Sequence, residues 1–245
     1  GKDGEDGIAQ SYFEYLRIPY THSGVISSHN AMNKIISKEI FKKNNIITPK
    51  YFVFKKDNYN EIKLKKYIKF KKVKYPIVVK PTNEGSSIGV RICKNILELH
   101  KKTKLLFKKH VELIFEPYIG GQEIQVAVIN GTPLGAIELR PQRQFYDYKA
   151  KYSKAAKTKH IMPAILSKNK YKEVLQIAKK THNALGCKGV TRSDFKFFKN
   201  KFYLLEINTQ PGMTNLSLVP EIAKYKGISF KKLVEKILLN AGINR

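Results

Sequence analysis

Residues 80–90 read KPTNEGSSIGV: a lysine that closes an apolar run, then an acid, then Gly-Ser-Ser-x-Gly. Three readings compete for this stretch. Gly85-Ser86-Ser87-Ile88-Gly89 matches G-x-S-x-G, the nucleophile elbow of acyl-transfer enzymes. A glycine-rich loop can also cover phosphates with its backbone N–H groups. The plainest reading is a hairpin turn that takes glycine for its backbone angles. The elbow requires a helix directly after the serine, whereas Val90-Arg91-Ile92 reads as a strand, and the six histidines stand singly in polar surroundings. No G-x-x-x-x-G-K-[ST] occurs in the chain. What remains is a loop between two strands, YPIVVK (75–80) and IGVRI (88–92). It either closes over phosphates with Lys80 as a point charge or turns a plain hairpin.

Around this loop the periodicities alternate between helix and strand. IAQSYFEYLRI (8–18) has helical spacing, and SSHNAMNKIISKEIFKKNN (27–45) reads as one helix capped by Ser27 or Ser28. A strand at 51–54 and a lysine-rich helix at 60–72 precede the loop; a helix at 95–109 and a strand at 112–116 follow it. Strands at 124–129 and 133–139 are joined by Asn130-Gly131, a hairpin signal. Residues 140–160 lack periodicity and carry many aromatics and lysines, which reads as a long ordered loop. A helix at 168–186, strands at 190–198 and 201–207, and helices at 218–225 and 229–241 complete the chain.

The last strand pair holds a second constellation. Glu206 and Asn208 are two apart on a strand and share a face, as do Arg192 and Asp194 on the strand before. An Asp, a Glu and an Asn carbonyl converging from neighbouring strands make an all-oxygen site suited to Mg²⁺ that also touches phosphates. The alternative is a surface strand pair with solvated charges. Glu206 follows Leu204-Leu205 and precedes Ile207, however, and isolated charges in buried strands need a partner or a metal.

Composition narrows the classes. Hydrophobic residues at 42% and charged residues at 27% describe a globular protein, and no stretch has the ~18 uncharged apolar residues of a membrane span. The two cysteines, Cys93 and Cys187, lack metal or redox spacing, as expected of reduced thiols. A net charge of +28 suggests a nucleic-acid-binding module, the non-enzymatic alternative. Against it, the lysines are scattered, and only Arg17, Arg91, Arg140, Arg143, Arg192 and Arg245 offer the forked donor that specific readout favours. The expectation is therefore no specific nucleic acid. The start, GKDGEDG, has no initiator Met and no signal-peptide pattern, so a missing upstream segment is expected.

The chain resembles the D-alanine–D-alanine ligases of the ATP-grasp superfamily. The resemblance rests on GEDG (4–7), PYTHSGV (19–25), KPTNEGSSIGV (80–90), FYDYKAKY (145–152), LGCKGVTRSDF (185–195), LLEINTQPGMTNLSLVP (204–220) and GISFKKLVEKIL (227–238), which run in family order from end to end. It implies an α+β ATP-grasp fold whose two lobes sandwich ATP. The implied parts are a remnant of an N-terminal substrate domain at 1–22, a central lobe at 23–118 and a C-terminal lobe at 119–245. Lys34 and Lys80 resemble the lysines that hold ATP phosphates, and Ser86 lies in the loop over the reacting groups. Glu116, Pro117, Tyr118 and Ile119 resemble the segment that receives adenine, and Glu123 the carboxylate that binds ribose.

Further along the chain, Lys151 and Tyr152 belong to the closing loop, with Lys151 near the transferred phosphate and Tyr152 implying D-alanine over D-lactate as acceptor. Arg192 resembles the residue that stabilises the reacting carboxyl-phosphate; Gly212, Ser217 and Leu218 resemble the second substrate's site. Asp194, Glu206 and Asn208 resemble ligands of two Mg²⁺ ions, for which Mn²⁺ could substitute. The implied activity is ATP-dependent ligation of two D-alanines for peptidoglycan precursors, in the cytoplasm, with a homodimer as an admissible assembly. Another ATP-grasp carboxylate–amine ligase, or one of the D-alanine–D-lactate type, is the enzymatic alternative. Lys149, Asn33, Gln210 and Leu216 depart from the family's usual residues, and none of them is an implied ligand.

Overall fold

The structure is a computed structural model that describes residues 3–141, 158–214 and 217–244. Two antiparallel sheets organise it. The smaller has the order β1-β4-β2-β3, built from β1 (Phe52–Lys55), β2 (Ile77–Pro81), β3 (Arg91–Cys93) and β4 (Glu112–Pro117). Strand alternation sorts its two faces. Ile77 and Val79 of β2 join Leu113 and Phe115 of β4 in an apolar layer, sealed by Leu64 of α4 (Glu61–Phe70) and Leu99 of α5 (Ile96–Leu106). Phe52 stacks on Phe115 with ring centroids 5.0 Å apart. Each such fully buried side chain contributes roughly 1.5–3 kcal/mol. The same alternation turns Lys80 and Glu116 to the opposite face.

The larger sheet has the order β7-β6-β5-β8-β9: β5 (Gln122–Ile129), β6 (Thr132–Arg140), β7 (Lys159–Ile161), β8 (Val190–Phe198) and β9 (Lys201–Asn208). One face carries Ile124, Val126 and Phe195 against α6 (Lys168–Ala184). The other packs Ala127, Ile137 and Leu139 against α7 (Leu218–Tyr225) and α8 (Phe230–Leu238). Asn130 and Gly131 both take positive φ, the geometry of the expected hairpin turn.

The N-terminal helices α1 (Ile8–Tyr15), α2 (Val25–Met32) and α3 (Lys34–Lys43) pack with this larger body, where Ala31 and Phe41 enter the same core as Ile124. The single helix expected over 27–45 is two. Asn33 stands between them in extended backbone, and its side chain accepts from the N–H groups of Ile35 and Ile36. That bond makes Asn33, and neither Ser27 nor Ser28, the cap that matters. The first of the two helices starts from Gly24 without any side-chain cap. The long loop expected at 140–160 is replaced at its ends by Arg140 and Lys159, which pair as neighbours on β6 and β7; residues 142–157 lie outside the described residues.

Candidate active site

The loop that opened the sequence question is a hairpin connection: β2 and β3 pair antiparallel, with Ile77 opposite Cys93. The strand begins later than expected, at Arg91, because residues 85–90 are spent on turns closed by Ile88 N–H to Gly85 O and Val90 N–H to Ser87 O. Ser86 and Ser87 both lie at positive φ, a conformation that costs free energy for residues with a side chain.

Lys34, the first residue of α3, links this loop to the larger body. Its N–H donates to Thr82 O at 2.9 Å, its ammonium donates to Glu84 O, and the same ammonium lies 3.8 Å from the Glu206 carboxylate. Burial lowers the Lys34 pKa, and Glu206 opposes that shift.

Behind it sits a buried cluster of three charges. Glu116 pairs with Lys38 at 2.8 Å and with Lys80 at 2.9 Å, and Lys38 also donates to Thr48 Oγ1 at 2.6 Å. Burial pushes the Glu116 carboxyl up, but the two ammonium groups outweigh it and hold it below the usual carboxylate range. Burial lowers the Lys38 pKa to about 8. Lys38 was not among the residues singled out from the sequence. The available signal was its position one helical turn after Lys34, on the same face.

On the larger sheet the register lays the polar residues out in rows. Gln125, Asp194 and Glu206 are consecutive cross-strand partners on β5, β8 and β9; Arg192 and Asn208 form the next row. Arg192 holds Asp194 with two bonds, Nε to Oδ1 at 2.8 Å and Nη2 to Oδ2 at 3.1 Å. Asn208 Oδ1 accepts from the Gln210 N–H at 2.8 Å. Glu123, one row further along, pairs with Lys196 at 2.9 Å.

Two cavities open between the sheets. The smaller, about 90 Å³, is lined by Lys80, Glu116, Glu123 and the segment Pro117 to Ile119. The larger, about 310 Å³, is lined by Ser86, Arg192, Asn208, Gly212, Ser217 and Leu218. Lys34, Glu84 and Glu206 line both. At the far end of the larger cavity Ser217 Oγ accepts from the Thr214 N–H at 2.9 Å, and a Cβ on Gly212 would stand 2.9 Å from that oxygen. A side chain at 212 would have to push the Ser217 hydroxyl aside. Lys151 and Tyr152 lie outside the described residues. Every other site residue expected from the sequence borders one of the two cavities.

Two of the departing residues have structural work. Asn33 caps α3, a role an Asp would also fill. Gln210 Nε2 donates to Gly4 O at 3.0 Å and lies 3.3 Å from His22 Nδ1, tying the GEDG segment to the site.

Among the described residues no three His, Cys, Asp or Glu side chains form a ready metal cage. Asp194 and Glu206 nonetheless set two carboxylates side by side across β8 and β9, with the Asn208 carbonyl on the same face. Two carboxylates and an amide oxygen are hard donors that fit a Mg²⁺ ion completing its shell with phosphate and water.

Residues 40–239 match the family described as "D-ala D-ala ligase C-terminus". The chain is 60% identical to the D-alanine--D-alanine ligase of Pelagibacter ubique, covering all of this chain and 79% of that protein. It is 47% identical to the corresponding ligase of Wolbachia pipientis wMel, over 97% of this chain and 74% of the relative. Among solved structures, a D-alanine--D-alanine ligase from Bacillus anthracis superposes with a TM-score of 0.86 at 35% identity, over 98% of this chain and 77% of that one. A D-Ala:D-Ser ligase from Enterococcus faecalis also reaches 0.86, at 31% identity, over 97% and 69% of the two chains. The mixed architecture with two antiparallel sheets is the ATP-grasp α+β fold. A family match over residues 40–239 and 60% identity over all of this chain agree: the chain belongs to the D-alanine–D-alanine ligase family.

Proposed function

We propose that the protein is an ATP-dependent ligase that joins two D-alanines for peptidoglycan precursors. The observation that carries this reading is the pair of cavities sharing a wall of Lys34, Glu84 and Glu206. A nucleotide in the smaller cavity directs its terminal phosphate to that wall, and an amino acid in the larger cavity meets it there. A D-alanine--D-alanine ligase structure from B. anthracis, 31% identical to this chain, is complexed with ATP.

In this arrangement Glu116 to Ile119 receive the base and Glu123 the ribose hydroxyls, while Lys80 and Lys34 supply point charges for the phosphates. A free carboxylate is a poor electrophile, so transfer of the terminal phosphoryl group to the first D-alanine creates an acyl phosphate with a good leaving group. Arg192 faces the oxygens that gain charge, where a fixed cation in a water-poor site is most effective. The second D-alanine, its carboxylate held near Gly212, Ser217 and Leu218, attacks through its amine, and phosphate departs. Ser86 and its loop cover the reacting groups and keep water from the acyl phosphate. Mg²⁺ ions held by Asp194, Glu206 and Asn208 would offset charge on the phosphoryl oxygens.

The test is phosphate release by the intact protein. Release that requires ATP, Mg²⁺ and D-alanine together, with D-alanyl-D-alanine as product, is expected. ATP hydrolysis indifferent to D-alanine would overturn the reading. Tyr152 makes D-alanine the preferred acceptor, so a competition with equal D-lactate should yield mainly the dipeptide.

A further inference from the structure

One side chain in the wall of the larger cavity has no role in the scheme above. Gln125 on β5 is 1% exposed, and among the described residues neither Oε1 nor Nε2 of its amide has a hydrogen-bond partner. Burying an amide unpaired is costly, and buried polar groups of folded proteins are nearly always paired. The cost is avoidable at this position, since a leucine of similar size would incur none. Its neighbour on the same face of β5, Ala127, is apolar and fully buried. A polar group kept under these conditions needs an occupant that supplies its partners.

The direction of the side chain says which occupant. Gln125 shares its cross-strand row with Asp194 and Glu206 and lines the larger cavity with Arg192 and Leu218. It does not line the smaller cavity, where the candidate nucleotide residues gather. An uncharged amide both donates and accepts. It therefore suits a small zwitterion, which presents a carboxylate to its N–H group and an ammonium to its oxygen. Arg192 can satisfy only the first of these.

We infer that Gln125 is a substrate-binding residue of this chain, its amide hydrogen-bonding the amino-acid substrate in the larger cavity and setting its orientation. The inference rests on the ligase reading and extends it to a residue that neither motif nor resemblance singled out. Its sequence signal is faint: Gln125 is the polar member two residues after Glu123, on the same face of an otherwise apolar run.

The test replaces Gln125 by leucine in the intact protein and measures KM for D-alanine and for ATP together with the melting temperature. The KM for D-alanine should rise about tenfold, the loss expected of one well-made hydrogen bond. The KM for ATP should hold, and the melting temperature should stay level or rise, because the variant removes an unpaired buried group. Gln125→Met, which keeps the unbranched shape, should behave alike. An unchanged KM for D-alanine overturns the inference. So does a fall in melting temperature with both KM values rising together, the mark of an amide that serves the fold. A wild-type protein that releases no phosphate with D-alanine overturns the ligase reading and this inference with it. An active wild type beside an unaffected variant overturns this inference alone.

Discussion

Replacing Glu116 by glutamine should destabilise the protein far more than replacing Lys38 by methionine, although the two residues form the same ion pair. The Glu116 carboxylate stands 2.8 Å from Lys38 and 2.9 Å from Lys80, with all three side chains nearly or fully buried. At an effective dielectric of about 20, each attraction is worth about 6 kcal/mol before desolvation is counted. Desolvation cancels much of this, which is why intact buried pairs add little; removing one partner strands the other charge and costs about 3–5 kcal/mol. Glu116→Gln strands two cations and should reach that range, lowering the melting temperature by about 6–20 °C for a chain of this size. Lys38→Met leaves a neutral Lys80–Glu116 pair and loses mainly the bond to Thr48, so its cost should be well under half as large.

Urea unfolding of the two variants beside wild type decides the matter. Glu116→Gln within about 1 kcal/mol of wild type would show that the cluster is screened, and would refute the reasoning. The cluster also has a pH signature. Lys38 has a folded value of about 8 against 10.5 for the free side chain, so unfolding takes up a proton between those values. Its contribution to stability is complete above pH 10.5 and is lost as pH falls to about 8. The stability difference between wild type and Lys38→Met should therefore move in favour of wild type across that interval.

Glu206→Gln removes one of the two carboxylates of the β8–β9 pair and should lower turnover most at limiting Mg²⁺; near-normal turnover there would remove the residue from the metal site. His182, 2% exposed and bonded to Thr191 Oγ1 at 2.9 Å, has its pKa lowered by burial and then by Lys188, to about 4. Its contribution is complete above pH 6.5 and is lost as pH falls to about 4, a swing of about 3 kcal/mol that His182→Gln should abolish in pH-dependent unfolding curves. Asn33→Ala removes the acceptor for two α3 N–H groups and should cost about 1 kcal/mol, or about 2–4 °C by calorimetry; no shift would mean the cap is idle.

Much of the site was legible because it is written in strand alternation. Arg192 with Asp194, and Glu206 with Asn208, are pairs two residues apart, and the structure sets those pairs opposite each other across β8 and β9. The hairpin at 80–90 was legible too, from an apolar run ending in a lysine and the glycines after it. Other features were hidden by their context. Lys38 is fully buried, yet in a chain with 47 basic residues it reads as one more surface lysine. Only the meeting of α3 with β2 and β4 gives it a carboxylate. Asn33 sits where a continuous helix would show a polar residue anyway, so the break after Met32 left no mark in the periodicity. The orphaned amide of Gln125 is invisible without the cavity it faces.

The path of the backbone between the two bodies has a mechanical consequence. The chain leaves the larger body at residues 48–51, builds the whole four-stranded sheet, and returns at residues 118–121. Both crossings touch the β8–β9 pair: Ile47 O accepts the Leu204 N–H at 2.8 Å, and Gly121 approaches β8 so closely that a Cβ there would stand 2.1 Å from Phe197 O. Besides these crossings, the small sheet is tied to α3 by the buried Glu116–Lys38 pair at 2.8 Å. Pro49 of the outgoing crossing and Tyr118 and Ile119 of the returning one line the smaller cavity, so that cavity lies where the two bodies are joined, while Ser86 lines the larger one. The bonds of Lys34 to Thr82 and Glu84 cross the gap as a latch, and a triphosphate gripped by Lys34 and Lys80 would lock it.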